Sequence, residues 1–334
     1  MTLVAAAGVG LLIGLHAASW GAFKDAPYEG FRLTSYLRSI LLASALAVLL
    51  VATIAKPGSS PLALMGTVYA VERLATEWWK AIVREQDQSH YTIPMRLGFR
   101  GRPVDHPLPR YTVGVAVAGM TIAGLVWVDA MQHALPPIPT VLLITTVGSA
   151  GGWATAVGGA WKDAPIEGFS GWKFLRSPAI ATAWAVPFSL LTDSWVTLLL
   201  TSAGFAVASI ETYKTFLSGD RPPGKFAGRP VQARLPALRS VLAHQHAILW
   251  IAVAVAFALT IFDAPADLIS LRGAEWFPRQ LSKIPLGAVS LVAAILAALV
   301  IYTGIRVQPA GSEPSERLER THSRSGAHAG IADK

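Results

Sequence analysis

One eight-residue stretch occurs twice in this chain, and the two copies constrain the fold more than any other feature. The first copy reads Lys24-Asp25-Ala26-Pro27-Tyr28-Glu29-Gly30-Phe31, and the second reads Lys162-Asp163-Ala164-Pro165-Ile166-Glu167-Gly168-Phe169. Between residues 21–39 and 159–177, 12 of 19 positions are identical at a constant offset of 138. The flanking segments are apolar in both halves but share few identical residues. The sequence therefore predicts a duplication that kept one charged loop while its helices diverged.

The composition indicates an integral membrane protein. Of 334 residues, 53% are hydrophobic and only 14% are charged, whereas a soluble domain carries about 25% charged residues. The net charge of +8 is more typical of cytoplasmic loops than of nucleic-acid binding in such a protein. The chain has no cysteine, which excludes disulfides and thiolate sites. Residues 2–19 have no basic residue before their apolar run, so we interpret them as a retained helix and not as a cleaved signal peptide.

Nine segments are apolar enough to be membrane helices, for which about 20 mostly apolar residues are needed. They are 2–19, 37–55, 62–83, 111–132, 137–158, 178–193, 195–216, 241–262 and 284–305. The predicted fold class is an all-α integral membrane protein with two tandem four-helix repeats and one extra helix. The predicted units are 1–134 (repeat one), 135–264 (repeat two), 265–306 (an interfacial loop and the ninth helix) and 307–334 (a disordered cytoplasmic tail). Within the fifth segment and the residues after it, the glycines at 151, 152, 158 and 159 indicate close helix packing.

Two further matches follow in the same order in both halves. Glu77-Trp78-Trp79-Lys80 corresponds to Glu211-Thr212-Tyr213-Lys214, and Gly101-Arg102-Pro103 corresponds to Gly228-Arg229-Pro230. Because four helices return the chain to the side from which it entered, the two units are predicted to be parallel. They would be related by a pseudo-twofold axis along the membrane normal.

The distribution of basic residues predicts the orientation. If the loops after helices 1, 3, 5 and 7 lie on the same side as the C-terminal tail, that side holds 23 of the 28 Lys and Arg residues. An excess of Lys and Arg marks the cytoplasmic side. We therefore expect a multi-pass protein of the cell (inner) membrane with its N-terminus outside, its C-terminus inside and every duplicated motif at the cytoplasmic face.

The duplicated loop carries candidate chemistry in both copies. Its prolines are expected to turn the backbone, and Gly30 and Gly168 to allow positive φ. Basic side chains would neutralise a phosphate, while acidic ones would hold a divalent cation such as Mg²⁺ (with Asp25 and Asp163 as possible ligands) or act as a general base. The candidates are Lys24, Asp25, Glu29 and Arg38 in the first copy, and Lys162, Asp163, Glu167 and Arg176 in the second. The alternative is an interfacial turn whose charges pair with one another, at ~0–1 kcal/mol per exposed pair.

The third helix of each unit also carries charges, and ionisable residues within a membrane are functional candidates. Glu77 and Lys80 recur as Glu211 and Lys214, whereas Arg73 has no counterpart. The alternative places them at the interface beside an aromatic belt. The following loops, residues 84–110 and 221–239, are basic and would attract anionic lipid. Within these loops, Arg102 and Arg229 are the best candidates for clamping a phosphorylated substrate because Gly-Arg-Pro recurs around them.

Three functions remain open from the sequence. The first is a membrane enzyme acting on a phosphate-bearing lipid or prenyl substrate at the cytoplasmic leaflet. The second is a lipid or small-molecule transporter or flippase built from two parallel repeats. The third is a non-catalytic assembly subunit that contacts a partner protein or another copy. If Glu77 and Glu211 lined a passage open to both faces, transport would be favoured, and if they met the repeated segments in a pocket closed outward, an enzyme would be favoured.

Overall fold

A computed structural model describes residues 1–53, 60–219 and 222–262, and these residues are mostly helical. The helices are α1 (Leu3–Glu29), α2 (Leu33–Thr53), α3 (Pro61–Trp78), α4 (Pro107–Ala134), α5 (Thr140–Leu143), α6 (Ser149–Glu167), α7 (Gly171–Phe188), α8 (Trp195–Thr212) and α9 (Pro236–Phe262). Short π-helical turns occupy Trp79–Val83, Ile144–Gly148 and Tyr213–Leu217, and 3₁₀ turns occupy Gln88–His90 and Gly224–Phe226. Two-residue strands, β1 (Gly98–Phe99) and β2 (Arg102–Pro103), pair antiparallel.

Six of the described helical stretches are long and apolar enough to cross a membrane, as expected for an all-α membrane protein. They are Leu3–Glu29, Leu33–Thr53, Pro107–Ala134, Thr140–Glu167, Trp195–Leu217 and Pro236–Thr260. The third and sixth predicted segments are the 18-residue helices α3 and α7, which are not among the six. The ninth segment, the interfacial loop and the C-terminal tail lie outside the described residues.

The repeated charged segments are helical, so the prediction of a charged loop is wrong. Helix α1 runs to Glu29 and helix α6 to Glu167, with Pro27 and Pro165 inside the last turn of each. A proline near the end of a helix removes only one backbone hydrogen bond, and the helix can continue around it. The expected positive φ is confirmed, because Gly30 (φ 75°, ψ 158°) and Gly168 (φ 83°, ψ 160°) end the two helices in a region that only glycine adopts readily.

The first two helices of each half pack through glycine at matching positions. A Cβ on Gly14 would lie 2.4 Å from the Cα of Ile40, and a Cβ on Gly152 would lie 2.6 Å from the Cα of Pro178. These contacts hold α1 against α2 and α6 against α7. The packing prediction also holds for Gly151, whose added Cβ would lie 2.3 Å from Ala203 Cβ. It is wrong for residues 158 and 159, where an added Cβ would meet nothing within 4 Å among the described atoms.

Helices α3 and α8 cross at the centre of the bundle at backbone contact. A Cβ on Gly204 would lie 1.9 Å from the carbonyl oxygen of Gly66. Beside this crossing, Thr201 Oγ1 donates to the carbonyl of Ala63 at 3.0 Å and lies 3.4 Å from Thr67 Oγ1. Small residues at such crossings let helix backbones approach closely, as is typical of membrane bundles.

Helix α9 packs along α1, whereas α4 lies at the periphery against α8 and the π-turn Trp79–Val83. Most of α4 is exposed, including the large apolar side chains of Val115, Met120, Ile122, Val126 and Trp127. Apolar side chains on the outside of a bundle are typical of contact with lipid tails.

The connecting segments that follow the π-turns Trp79–Val83 and Tyr213–Leu217 each pack against a helix from the other half of the chain. Residues 84–106 pack on the end of α6, where Trp161 Nε1 donates to the carbonyl of Gly98 at 3.1 Å. Residues 222–235 pack on the end of α1, where the Gln232 amide donates to the carbonyl of Pro27 at 2.9 Å. The two segments also meet each other, because the Thr92 amide donates to the Lys225 carbonyl at 2.8 Å. Both charged helix ends are therefore brought to one end of the bundle.

Candidate functional site

A charge cluster forms where the repeated segments meet the ends of α3 and α8. It contains six cations and four carboxylates from the described part of the chain, so positive charge is in excess. Its members are Lys24, Asp25, Arg73, Glu77, Lys80, Lys162, Asp163, Glu211, Lys214 and Lys225. We use the name charge cluster for these ten residues.

The central contact of the charge cluster joins the two halves of the chain. Lys24 Nζ on α1 lies 2.7 Å from Glu211 Oε2 on α8, and the two side chains are only 24% and 16% exposed. Lys214 Nζ lies 3.6 Å from the other oxygen, Glu211 Oε1. Because partial burial lowers the local dielectric, this pair is stronger than an ion pair in open water.

Two further sets of ion pairs connect residues of the charge cluster. Lys225 Nζ lies 2.8 Å from Asp25 Oδ2, which ties the segment after α8 to the end of α1. Glu77 accepts at Oε1 from Arg73 Nη2 at 2.6 Å and from Lys80 Nζ at 2.9 Å. The spacing of three and four residues places all three on one helix face.

The second copy of the repeated segment is less fully paired than the first. Lys162 interacts electrostatically with Glu77 and Asp163, but its only described short contact is with Met95 Sδ at 3.4 Å. Asp163 lies near Lys162 and Lys214, and no salt bridge to it is found within the described ranges. An ammonium and a carboxylate are thus available at this side of the cluster for contact with a ligand.

The bundle below the charge cluster is filled by buried polar and aromatic side chains. His16 Nδ1 is hydrogen-bonded to Tyr69 Oη, and the His16 ring stacks on His246 with centroids 4.1 Å apart. His246 Nδ1 lies 3.0 Å from Ser19 Oγ, and its Nε2 lies 2.9 Å from Thr212 Oγ1. All five residues are at most 3% exposed. We call these residues the buried histidine core.

The remaining predicted site residues lie outside the charge cluster. Glu167 pairs with Lys173 at 2.7 Å, and Arg229 Nη2 donates to the Tyr91 carbonyl at 3.2 Å. Arg102 is exposed on β2. The Nε atom of Arg176 is buried and has no hydrogen-bond partner in the described structure.

Glu29 and Arg38 lie next to the charge cluster, near Tyr91 and Arg84. The Tyr91 hydroxyl donates to Glu29 Oε1 at 2.7 Å and accepts from Arg84 Nη2 at 3.0 Å. Burial raises the pKa of Tyr91, and the hydrogen bond to Glu29 and its negative charge raise it further. Tyr91 therefore stays protonated at neutral pH and connects Glu29 to Arg84. Arg38 lines a cavity beside Arg84.

Sequence reasoning missed several of the residues that the structure brings together. Lys225 is one of several basic residues within 221–239, and no pattern in the sequence distinguishes it or Tyr91 from their neighbours. His16 was also missed, although a single histidine within an apolar helix was the available signal.

The arrangement is suited to binding an anion. Lysine and arginine side chains bind phosphate through charge-assisted hydrogen bonds, and the excess of cations leaves capacity for a negatively charged ligand. Binding of Mg²⁺ by Asp25 or Asp163 stays a prediction. Among the described residues there is no group of three or more His, Asp or Glu side chains that could hold a metal ion.

Comparisons with protein-family models, curated proteins and solved structures gave no match.

Proposed function

We propose that the protein is a membrane enzyme that acts on a phosphate-bearing lipid or prenyl substrate at the cytoplasmic leaflet. The observation that carries this proposal is the convergence of both repeated segments on one charge cluster with an excess of cations. Lys162 and Lys214 would bind the phosphate, while Lys24 and Lys80 would hold Glu211 and Glu77 in place. Asp163 would act as the general acid or base, since it is the cluster carboxylate without a described salt bridge.

Closure of the bundle below the charge cluster supports an enzyme over a passage between the two faces. The buried histidine core lies beneath the cluster, and the Gly66–Gly204 crossing brings α3 and α8 to backbone contact. Glu211 meets Lys24, and Glu77 interacts electrostatically with Lys162. Glu211 thus contacts one repeated segment and Glu77 interacts electrostatically with the other, which is the arrangement expected for a site that opens to one face.

We further propose that the described helices form two parallel repeats within the predicted nine-helix arrangement. Thr67 and Thr201 each precede their Glu-x-x-Lys motif by the same number of residues, and these two side chains meet each other. The π-turns Trp79–Val83 and Tyr213–Leu217 occupy matching positions after Glu77 and Glu211. Contact between equivalent residues is expected on a pseudo-twofold axis.

The predicted orientation is testable because the chain has no cysteine of its own. Ser89 lies in the segment before α4, and Ala134 lies at the far end of this helix, which is about 42 Å long at 1.5 Å per residue. A membrane-impermeant maleimide is expected to label the variant Ala134→Cys in intact cells. It is expected to label Ser89→Cys only after permeabilisation. The reverse pattern would place the charge cluster outside the cell and overturn the cytoplasmic assignment.

Substitution of Lys162 by methionine tests the proposed phosphate site at Lys162 and Lys214, which we call the headgroup site. The variant should bind phosphate-bearing lipid about tenfold or more weakly, because it loses one charge-assisted hydrogen bond worth ~1.5–3 kcal/mol. The measurement is the amount of phospholipid or prenyl phosphate that co-purifies, determined by mass spectrometry on the detergent-solubilised protein.

Lys173→Met provides the matched control, since Lys173 is 60% exposed and pairs with Glu167, and neither residue is a member of the cluster. It removes the same charge from the same end of the bundle and should leave the bound lipid unchanged. Equal lipid content in Lys162→Met and wild-type protein would contradict the headgroup site. Equal loss in both lysine variants would show that only overall charge attracts the lipid.

Lipid or proton-coupled transport is the second candidate, and the buried histidine core favours it. Ionisable groups enclosed in a membrane bundle often relay protons, and His16, Tyr69 and His246 lie in contact below the charge cluster. Movement of a labelled phospholipid between the leaflets of proteoliposomes, without chemical change of the lipid, would favour this candidate over an enzyme.

A further inference from the structure

A basic cleft lies beside the charge cluster, between the start of α2 and the segment after α3. Its volume is about 490 Å³, and its lining residues are Arg32, Ser35, Arg38, Arg84, Glu85, Gln86, Asp87 and His90. We use the name basic cleft for this cavity. It contains none of the ten residues of the charge cluster.

Two arginines of the basic cleft are available to a ligand. Arg32 and Arg38 are exposed, and no hydrogen bond or ion pair of either guanidinium is found within residues 1–53, 60–219 and 222–262. Arg84 is held in place by its hydrogen bond to Tyr91 at 3.0 Å. The cleft therefore combines one fixed guanidinium with two that can adjust to a ligand.

The carboxylates of the basic cleft already have partners. Glu85 accepts from Arg96 Nη2 at 2.7 Å and from Arg110, and the Arg110 hydrogen bond lowers the pKa of Glu85. Asp87 accepts from the hydroxyl and the amide of Ser89 at 2.6 and 2.9 Å, which lowers the pKa of Asp87. Both groups are therefore ionised at neutral pH, and among the described residues neither forms an ion pair with Arg32 or Arg38.

The position of the basic cleft narrows the class of ligand. It borders the first turn of α2, where the helix dipole also favours an anion. Phe31, Leu33 and Leu37 are exposed beside the two arginines, which is typical of a membrane surface. Guanidinium groups match the geometry of phosphate through paired hydrogen bonds. The phosphate can belong to a water-soluble phosphoester or to a lipid headgroup.

We propose that the basic cleft binds a phosphate group through Arg32, Arg38 and Arg84, as a second anion site beside the charge cluster. The Tyr91 hydroxyl joins Arg84 of this site to Glu29 of the first repeated segment. A ligand in the cleft would thus bind next to the proposed headgroup site.

The test is calorimetric titration of the full-length protein in non-ionic detergent. One arm uses inorganic pyrophosphate, and the other uses a short-chain phosphatidic acid in the same micelles. The double variant Arg32→Gln/Arg38→Gln is expected to weaken binding about 100-fold or more, since each charge-assisted hydrogen bond contributes roughly 10-fold or more. Arg100→Gln/Arg234→Gln is the control, since it removes two exposed cations outside the cleft.

The two arms distinguish the sources of the phosphate. Loss of pyrophosphate binding in the Arg32/Arg38 variant supports a water-soluble ligand, and loss of phosphatidic acid binding alone supports a lipid headgroup. Unchanged binding in this variant, an equal loss in the control, or no binding of either probe to wild-type protein would overturn the proposal. The same titrations are repeated in a Lys162→Met background, in which the proposed headgroup site is weakened. The loss of binding caused by Arg32→Gln/Arg38→Gln should persist in this background, so failure of the headgroup site is distinguishable from failure of the cleft.

Discussion

Replacement of Gly204 by alanine is expected to destabilise the bundle by about 2–3 kcal/mol, the upper part of the range for overpacking a tight contact. The added Cβ would lie 1.9 Å from the carbonyl oxygen of Gly66 and 2.8 Å from its carbonyl carbon. Both are backbone atoms and cannot rotate away, so α3 and α8 must separate. The measurement is the free energy of unfolding in detergent, followed by circular dichroism as denaturant is added.

Gly119→Ala on α4 is the matched control. A Cβ at this position meets nothing within 4 Å in the described structure, and alanine is a better helix former than glycine by roughly 0.5–1 kcal/mol. The control should therefore be neutral or slightly stabilising. If Gly204→Ala behaved in the same way, α3 and α8 would not cross at backbone contact, and the central packing described above would be wrong.

The effect of Gly204→Ala should also reach the charge cluster. Glu211 lies two turns beyond Gly204 on α8, and Glu77 lies three turns beyond Gly66 on α3. Separation of the two helices would move both glutamates relative to the repeated segments. Weaker lipid binding in this variant, with the cluster residues themselves unchanged, is the expected consequence.

The helices could be predicted from sequence because apolar length is a local property. Apolar runs such as those now seen in α1, α4 and α9 identify their segments without knowledge of the fold. The end of α1 was misplaced for the same reason, since hydropathy alone places the helix end where the charges begin. In the structure the helix continues to Glu29, because Lys24 and Asp25 find partners on other elements.

The pairing of charges could not be predicted, because it depends on tertiary packing. In the alternative interpretation, the lysine, aspartate, glutamate and arginine of each repeated segment pair with one another. Lys24 instead pairs with Glu211, which is 187 residues away, and Tyr91 donates to Glu29 from 62 residues away. In the second copy, Glu167 does pair within its own region, with Lys173. Identical residues in the two copies therefore have different interaction partners.

The second large effect on the free energy of unfolding is expected from disruption of the pair between Lys24 and Glu211. Lys24→Met is expected to lower the free energy of unfolding by about 3 kcal/mol, because removal of one partner leaves a largely buried charge uncompensated. Lys214, at 3.6 Å, is too far from Glu211 for a normal hydrogen bond and can replace only part of the interaction. The measurement is the same denaturant titration.

A double-mutant cycle separates the pair from the packing of the two side chains. Lys24→Met combined with Glu211→Leu should recover most of the lost stability, since two apolar side chains leave no buried charge. The exposed pair of Lys173 and Glu167 is the control, and its disruption should cost under ~1 kcal/mol. A coupling energy near zero between positions 24 and 211 would contradict a direct pair. Because this pair joins the first repeated segment to α8, such a result would also remove the main contact on which convergence of the two halves depends.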